Sequence, residues 1–184
     1  PKFPENEIRK LKSEIISGIL DELGNDRSLG ARKFSETLFA GHPYGKPTLG
    51  RLRDVEKFTA KGTRAHWELL VKDAQMLVVG SGDAEAAKIQ AWASALGARL
   101  GAGQILAPVS RPAESQARRV LIVDKPDRTQ TQIFIGQIGT QMLLPTYFPL
   151  HVGNHAFGGG SFSARMMVEI RVKRGWSYGA YSSF

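Results

Sequence analysis

The chain has 184 residues, 42% of them hydrophobic and 23% charged, a balance that fits a globular protein with one sizeable core or two smaller ones. No apolar run reaches the roughly 18 residues that a membrane span needs, no basic start leads into an apolar stretch of the signal-peptide type, and the lack of cysteine excludes a disulfide framework and thiolate chemistry. The 25 Lys and Arg residues outnumber the 17 Asp and Glu residues, but they are scattered in short runs such as "RKLK" and "RVKR", so the excess reads as a solvated basic surface and not as a nucleic-acid footprint.

The first element is a helix. Pro4 suits a first turn, Glu5 and Glu7 favour the positive end of the helix dipole, and Ile8, Leu11, Ile15, Ile16, Ile19, Leu20 and Leu23 recur at helical spacing up to Gly24. A second helix fits Ser28 to Phe39, with Leu29, Phe34, Leu38 and Phe39 available for burial. "AGHPYGKPTLG" then places His42 and Tyr44 in a loop rich in glycine and proline. Thr59 predicts the N-cap of a third helix that carries Trp67, Leu70 and Val71. Met76 to Val79 reads as a buried strand, and Asp83 as the cap of a helix carrying Ile89, Trp92 and Leu96.

"GAGQILAPVSRPAES" is the clearest shift in composition and reads as a linker. Beyond it, "RRVLIVDKP" and "TQTQIFIGQIG" read as strands; in the second, Thr131, Ile133 and Ile135 alternate with Gln130, Gln132 and Phe134. Pro145 opens a helix holding Tyr147, Phe148, Leu150, Val152 and Phe157, which "GGGSFS" ends. A further helix is predicted over Ala164 to Lys173, and "SYGAYSSF" alternates as a strand does. This order favours an α+β fold, with helices packed on mixed or antiparallel sheets in two halves.

Four stretches could carry chemistry. His151 and His155 in "HVGNH" stand at i and i+4, the ligand spacing of a metalloprotease helix, but the motif's intervening glutamate is missing and Asn154 cannot act as a base. "GSGDAE" lacks the third glycine of a dinucleotide fingerprint and the GK[ST] of a P-loop. The run Gly158, Gly159, Gly160 could cradle an anion on backbone N–H groups or serve as a connector needing positive φ. In "EIRVKRGWSYGAYSSF", a reversal at Gly175 would bring Arg171 and Tyr178 side by side as two donors for a carbonyl or oxyanion. The plainer alternative is that Arg171 pairs with a surface carboxylate and Tyr178 packs in a core.

"FPENEIRKLKSEI", "GHPYGKPTLG", "MLVVGSGD", "VDKPDRTQTQIFIGQIG" and "FGGGSFSARMMVEIRVKRGWSYGAYSS" together resemble the pitrilysin/insulinase family of zinc peptidases, which includes the processing peptidases. The resemblance implies two-layer α/β halves of the processing-peptidase type: residues 1–103 as the later part of a first half, 104–116 as a linker, and 117–184 as the truncated early part of a second. It implies a fragment of a longer protein, an unfolded polypeptide or peptide as substrate, and a family member as partner in a hetero- or homodimer. A bacterial periplasmic home is what it suggests.

The family's inverted His-x-x-Glu-His motif is absent here, and the downstream glutamate expected near Arg9 to Leu11 is replaced by "RKL". The resemblance therefore points to a non-catalytic type of subunit. Zinc belongs to the family or partner active site, and none is expected on this chain. Arg171 and Tyr178 match the family's arginine and tyrosine that hold the substrate carbonyl, and on this resemblance Gly158 to Gly160 would line the chamber as substrate-facing backbone. The rival expectation is a peptide-binding or assembly subunit with the same fold and no catalytic contribution. Neither reading includes a nucleic-acid partner. Retention on a polyanion matrix is accordingly expected to vary little with salt; a steep log–log fall would restore a polyanion role.

Overall fold

The computed structural model describes residues 1–72, 77–98, 109–112 and 117–184, and divides them into two compact units, Pro1–Phe134 and Ile135–Phe184. The strand expected from Met76 begins outside the described residues, and so does most of the expected linker.

In the first unit, α1 (Glu5–Gly24) follows Pro4, whose carbonyl accepts the first helical bond from Ile8. Its apolar stripe is only partly used: Ile19 is fully buried, whereas Leu11 and Leu20 stay half exposed. α2 (Asp26–Leu38) starts two residues before the expected Ser28, because the Asn25 side chain caps it by accepting a hydrogen bond from the Ser28 N–H at 2.9 Å. α1 packs against α2 and against the short helix α3 (Leu52–Val55), which buries Val55.

The α1–α2 junction is polar. Lys125 donates to the Gly24 carbonyl at the end of α1 (3.0 Å) and to the Asp26 carboxylate at the start of α2 (2.6 Å). A cation at one helix end and an anion at the next helix start each complement the local dipole. Arg128 adds a second cation 3.3 Å from Asp26. The hydrogen bond from Lys125, reinforced by the Arg128 charge, outweighs the opposing effect of desolvation and lowers the Asp26 pKa below 3.8.

α4 (Ala60–Lys72) is capped by Thr59 as expected, its hydroxyl accepting from the Gly62 N–H at 3.1 Å. α5 (Ala86–Gly97) starts after Glu85 without a side-chain cap, so the cap expected from Asp83 is not made. His42 is buried beside a 3-10 turn, Pro43–Gly45. Its Nδ1 accepts from the Tyr44 N–H (3.1 Å), which leaves the proton on Nε2 to donate to the Ser110 carbonyl (2.8 Å). This histidine is a structural pin.

In the second unit, α6 (Tyr147–Asn154) runs directly into a π-helical turn, His155–Gly159, and a second π turn follows over Met167–Val172. Ala164, Met167 and Gly158 are its buried positions.

The expected α+β class is overturned. Among the described residues there is no strand and no sheet, and all regular structure is helical. A strand exists only when a neighbour accepts its backbone bonds in a continuing ladder, and among the described residues the segments that alternate like strands form no such ladder. Residues 77–80, 119–123 and 130–138 lie largely open, with Ile122 84% and Ile135 91% exposed. In the alternating run, Phe134 is partly covered by Phe34 (ring centroids 6.3 Å apart) and Gly30, and Ile138 is half-buried.

The Asp26 junction gives a pH-dependent stability. Its pKa is depressed in the folded chain, so its contribution is complete above 3.8 and disappears as pH falls through the lower folded value. Asp26→Asn should therefore denature at lower urea than the wild type near neutral pH. The gap between the two should close on acidification below 3.8; a gap that persists there would remove the ion pairs as its cause.

Candidate functional site

The second unit gathers the candidate residues around its two π turns. A π turn adds one residue to each hydrogen-bonded ring, and such turns recur at functional sites. Here the Gly160 N–H bonds to the His155 carbonyl (2.9 Å) and the Lys173 N–H to the Val168 carbonyl (2.9 Å), each across five residues.

The second turn ends in a wide reversal. The Gly175 N–H donates to the Arg171 carbonyl (2.9 Å) and the Trp176 N–H to the Ile170 carbonyl (3.1 Å). Each bond spans one residue more than in a Schellman cap, as the π geometry requires, and Gly175 takes the left-handed φ of +63° that such a stop needs. The reversal folds the chain back over Arg171.

Arg171 and Tyr178 are thereby brought together. The Arg171 Cζ lies 4.5 Å from the Tyr178 ring centroid and 4.8 Å from that of Phe162, so the guanidinium is held between two aromatic rings. Each such contact contributes about 0.5–1 kcal/mol at an exposed site. The alternative of a surface ion pair is not what forms: among the described residues no carboxylate pairs with Arg171. Nor does Tyr178 pack in a core, for it is 85% exposed.

The carboxylate that could have taken Arg171 is engaged elsewhere. Glu169 pairs with Lys173 (2.5 Å) and Arg174 (2.9 Å), and Arg174 also donates to the Glu169 carbonyl. The hydrogen bond from Lys173, followed by that from Arg174, lowers the Glu169 pKa to about 2. The site thus carries three cations, two of them, Lys173 and Arg174, on its one carboxylate and the third, Arg171, against two rings. Its uncommitted donors suit an oxygen bearing negative charge.

Within the glycine run, Gly158 lies against the closing segment of the chain. A side chain at Gly158 would meet Ser182 Oγ at 2.5 Å and Met166 Sδ at 2.8 Å; at Gly159 it would meet Asn154 Nδ2 at 2.6 Å. Gly158 is buried, Gly159 exposed and Gly160 half-buried. Asn154, read from sequence only as a group that cannot act as a base, is a structural centre here. Its Nδ2 donates to the Ser182 carbonyl (3.3 Å), and its Oδ1 accepts from Ser182 Oγ (2.6 Å). No sequence signal marks this pair, whose members lie 28 residues apart.

A metal finds no ligand set in this arrangement. His151 is exposed and stacks on Tyr147 with centroids 6.0 Å apart, and His155 is exposed. Among the described residues no three His, Cys, Asp or Glu side chains converge on one point, short of what a protein zinc site needs.

Comparison with known proteins bears on this geometry. Residues 57–184 match the family model described as the peptidase M16 inactive domain, a stretch that contains both π turns and the Arg171–Tyr178 contact. The chain is 28% identical to an uncharacterized zinc protease of Streptomyces coelicolor over 155 residues, 81% of this chain and 33% of that protein. It is 29% identical to an uncharacterized zinc protease of Rickettsia bellii, over 98% of this chain and 43% of that one. A Helicobacter pylori protein described as a non-peptidase homolog is 22% identical over 98% of this chain and 41% of its own length. The crystal structure of a peptidase M16 inactive domain from Pseudomonas fluorescens superposes with a TM-score of 0.72 at 25% identity, over all of this chain and 44% of that one. The chain therefore spans less than half the length of these relatives.

The Glu169 ion pairs can be checked by titration. With its pKa held down, their contribution is complete above 4.5 and is lost as pH falls through about 2. Carboxyl-carbon NMR should give a Glu169 midpoint near 2 in the wild type, moving back toward 4.5 in Lys173→Ala. A wild-type midpoint near 4.5 would mean that the two cations do not bind it.

Proposed function

The chain belongs to the peptidase M16 family, and from that premise we propose that it takes part in peptide hydrolysis by lending Arg171 and Tyr178 to a zinc site held outside it. The observation that carries this reading is the contact, at 4.5 Å, of an arginine that no carboxylate among the described residues pairs with and an exposed tyrosine. Zinc supplies Lewis acidity and an activated water in such sites; this chain lacks its ligands among the described residues.

The chain's own contribution is hydrogen bonding to the substrate. The Arg171 guanidinium offers several N–H donors in one plane and the Tyr178 phenol a single O–H. Together they would hold the carbonyl of a peptide and strengthen their grip as charge develops on its oxygen. Donors fixed in advance on a π turn and a hydrogen-bonded return need little reorganisation when that charge appears. The exposed Gly159 would offer backbone to an extended peptide. A second family member, or another part of the same protein, would bring the metal.

A second reading follows from the relatives whose descriptions name an inactive domain and a non-peptidase homolog. On that reading the chain binds peptide or supports assembly without touching the reaction. One substitution separates the two. Loss of an oxyanion donor costs about 3–4 kcal/mol in the transition state, so Arg171→Ala in the full-length protein should cut chelator-sensitive peptide hydrolysis, measured with its zinc-bearing partner, by about a hundredfold or more. A fall of less than about fivefold would leave only the binding role.

A further inference from the structure

Tyr178 presents a positional problem. Its ring is 85% exposed, so burial does not locate it. Its place over Arg171 must come from the backbone on either side. Upstream, that backbone is fixed by the Gly175 and Trp176 bonds to the second π turn. Ser177 stiffens the loop itself, its hydroxyl donating to the Gly179 carbonyl at 2.7 Å. Downstream, the chain is caught at Ser182.

The hold on Ser182 is complete. Its N–H donates to the Gly158 carbonyl (3.1 Å), its carbonyl accepts from Asn154 Nδ2 (3.3 Å), and its hydroxyl donates to Asn154 Oδ1 (2.6 Å). Asn154 uses one donor and one acceptor at once, which neither aspartate nor an apolar residue of similar size can do. Gly158 lets the two strands of backbone approach this closely, since a side chain there would strike the Ser182 N at 2.8 Å.

We propose that Asn154 is a positioning residue for Tyr178, acting through Ser182: the clamp sets the length and direction of the 176–182 return and so holds the phenol beside the Arg171 guanidinium. Its functional meaning rests on the donor role given to Arg171 and Tyr178 above. Its geometry can be tested without that role. Aromatic rings displace the NMR signals of protons lying over their faces, so the Arg171 side chain reports directly whether Tyr178 stands where the clamp puts it.

The experiment uses the full-length protein with isotopically labelled arginine. Arg171 is assigned by its loss in Arg171→Lys, and Tyr178→Ala defines the signal with that ring gone. Asn154→Ala should move the Arg171 signals to or near the Tyr178→Ala position while far-UV helicity is retained. Ser182→Ala, which removes only the hydroxyl bond, should move them part of the way. Arg171 signals coincident with the wild type in both variants would overturn the proposal. Should Asn154→Ala fail to fold, Ser182→Ala decides alone: displacement supports the clamp and coincidence removes it. Retained hydrolysis in Arg171→Ala would sink the donor reading and leave this result standing.

Discussion

The hydrogen bonds between Asn154 and Ser182 join residues 28 apart, and the second unit depends on that closure. Bringing two such distant points together has an entropic cost that grows only slowly with loop length, on the order of 0.6 kcal/mol per doubling. Three bonds converging on one serine can oppose such a cost where apolar burial contributes little. Burial here is slight: Ala164 and Met167 are the buried apolar side chains among the unit's described residues. The first unit solves the same problem in the same way. Lys125 reaches the carbonyl of Gly24, 101 residues away in sequence, and the Asp26 carboxylate beside it, tying the α1–α2 junction to a distant segment.

Within this frame, the two π turns decide what the surface can do. An α-helix that ended at Arg171 would close its cap on shorter bonds. The wider turn shifts both closing bonds back by one residue, and the chain returns across the arginine face. Charge sorting completes the arrangement. Lys173 and Arg174 occupy both oxygens of Glu169, so the one acidic side chain on this turn is spent, and Arg171 is left to two aromatic rings. An ion pair would have bound the guanidinium to the protein itself; cation–π contact holds its position and leaves its N–H groups available.

Local signals carried much of the helical structure. The apolar spacing from Ile8 to Leu23 located α1, Gly24 marked its end, and Thr59 marked the start of α4. α2 began two residues early because Asn25 outcompeted the expected start. The strand expectations failed for a different reason. Alternation in "TQTQIFIGQIG" tells which side chains share a face, but a strand also needs a neighbouring backbone, and alternation is silent about that. Phe134 found a partner in Phe34, whereas Ile133 and Ile135 on the other face remain exposed.

The candidate site divides along the same line. Arg171 and Tyr178 were legible as a pair because they flank Gly175, and a reversal there needs only local geometry. The resemblance of the closing segment to the family was legible for the same reason, since it lies in one continuous run that the family model also covers. Phe162 against Arg171, and Asn154 against Ser182, were not, because contacts between distant polar or aromatic residues leave no periodic trace. The sequence by itself determined the helix-forming segments, the turn at Gly175 and the donors placed around it, all of which follow from interactions within a few residues. The tertiary structure alone decided that the alternating segments form no sheet among the described residues, and that Ser182 is clamped, because each depends on which distant group reaches a given hydrogen-bonding site.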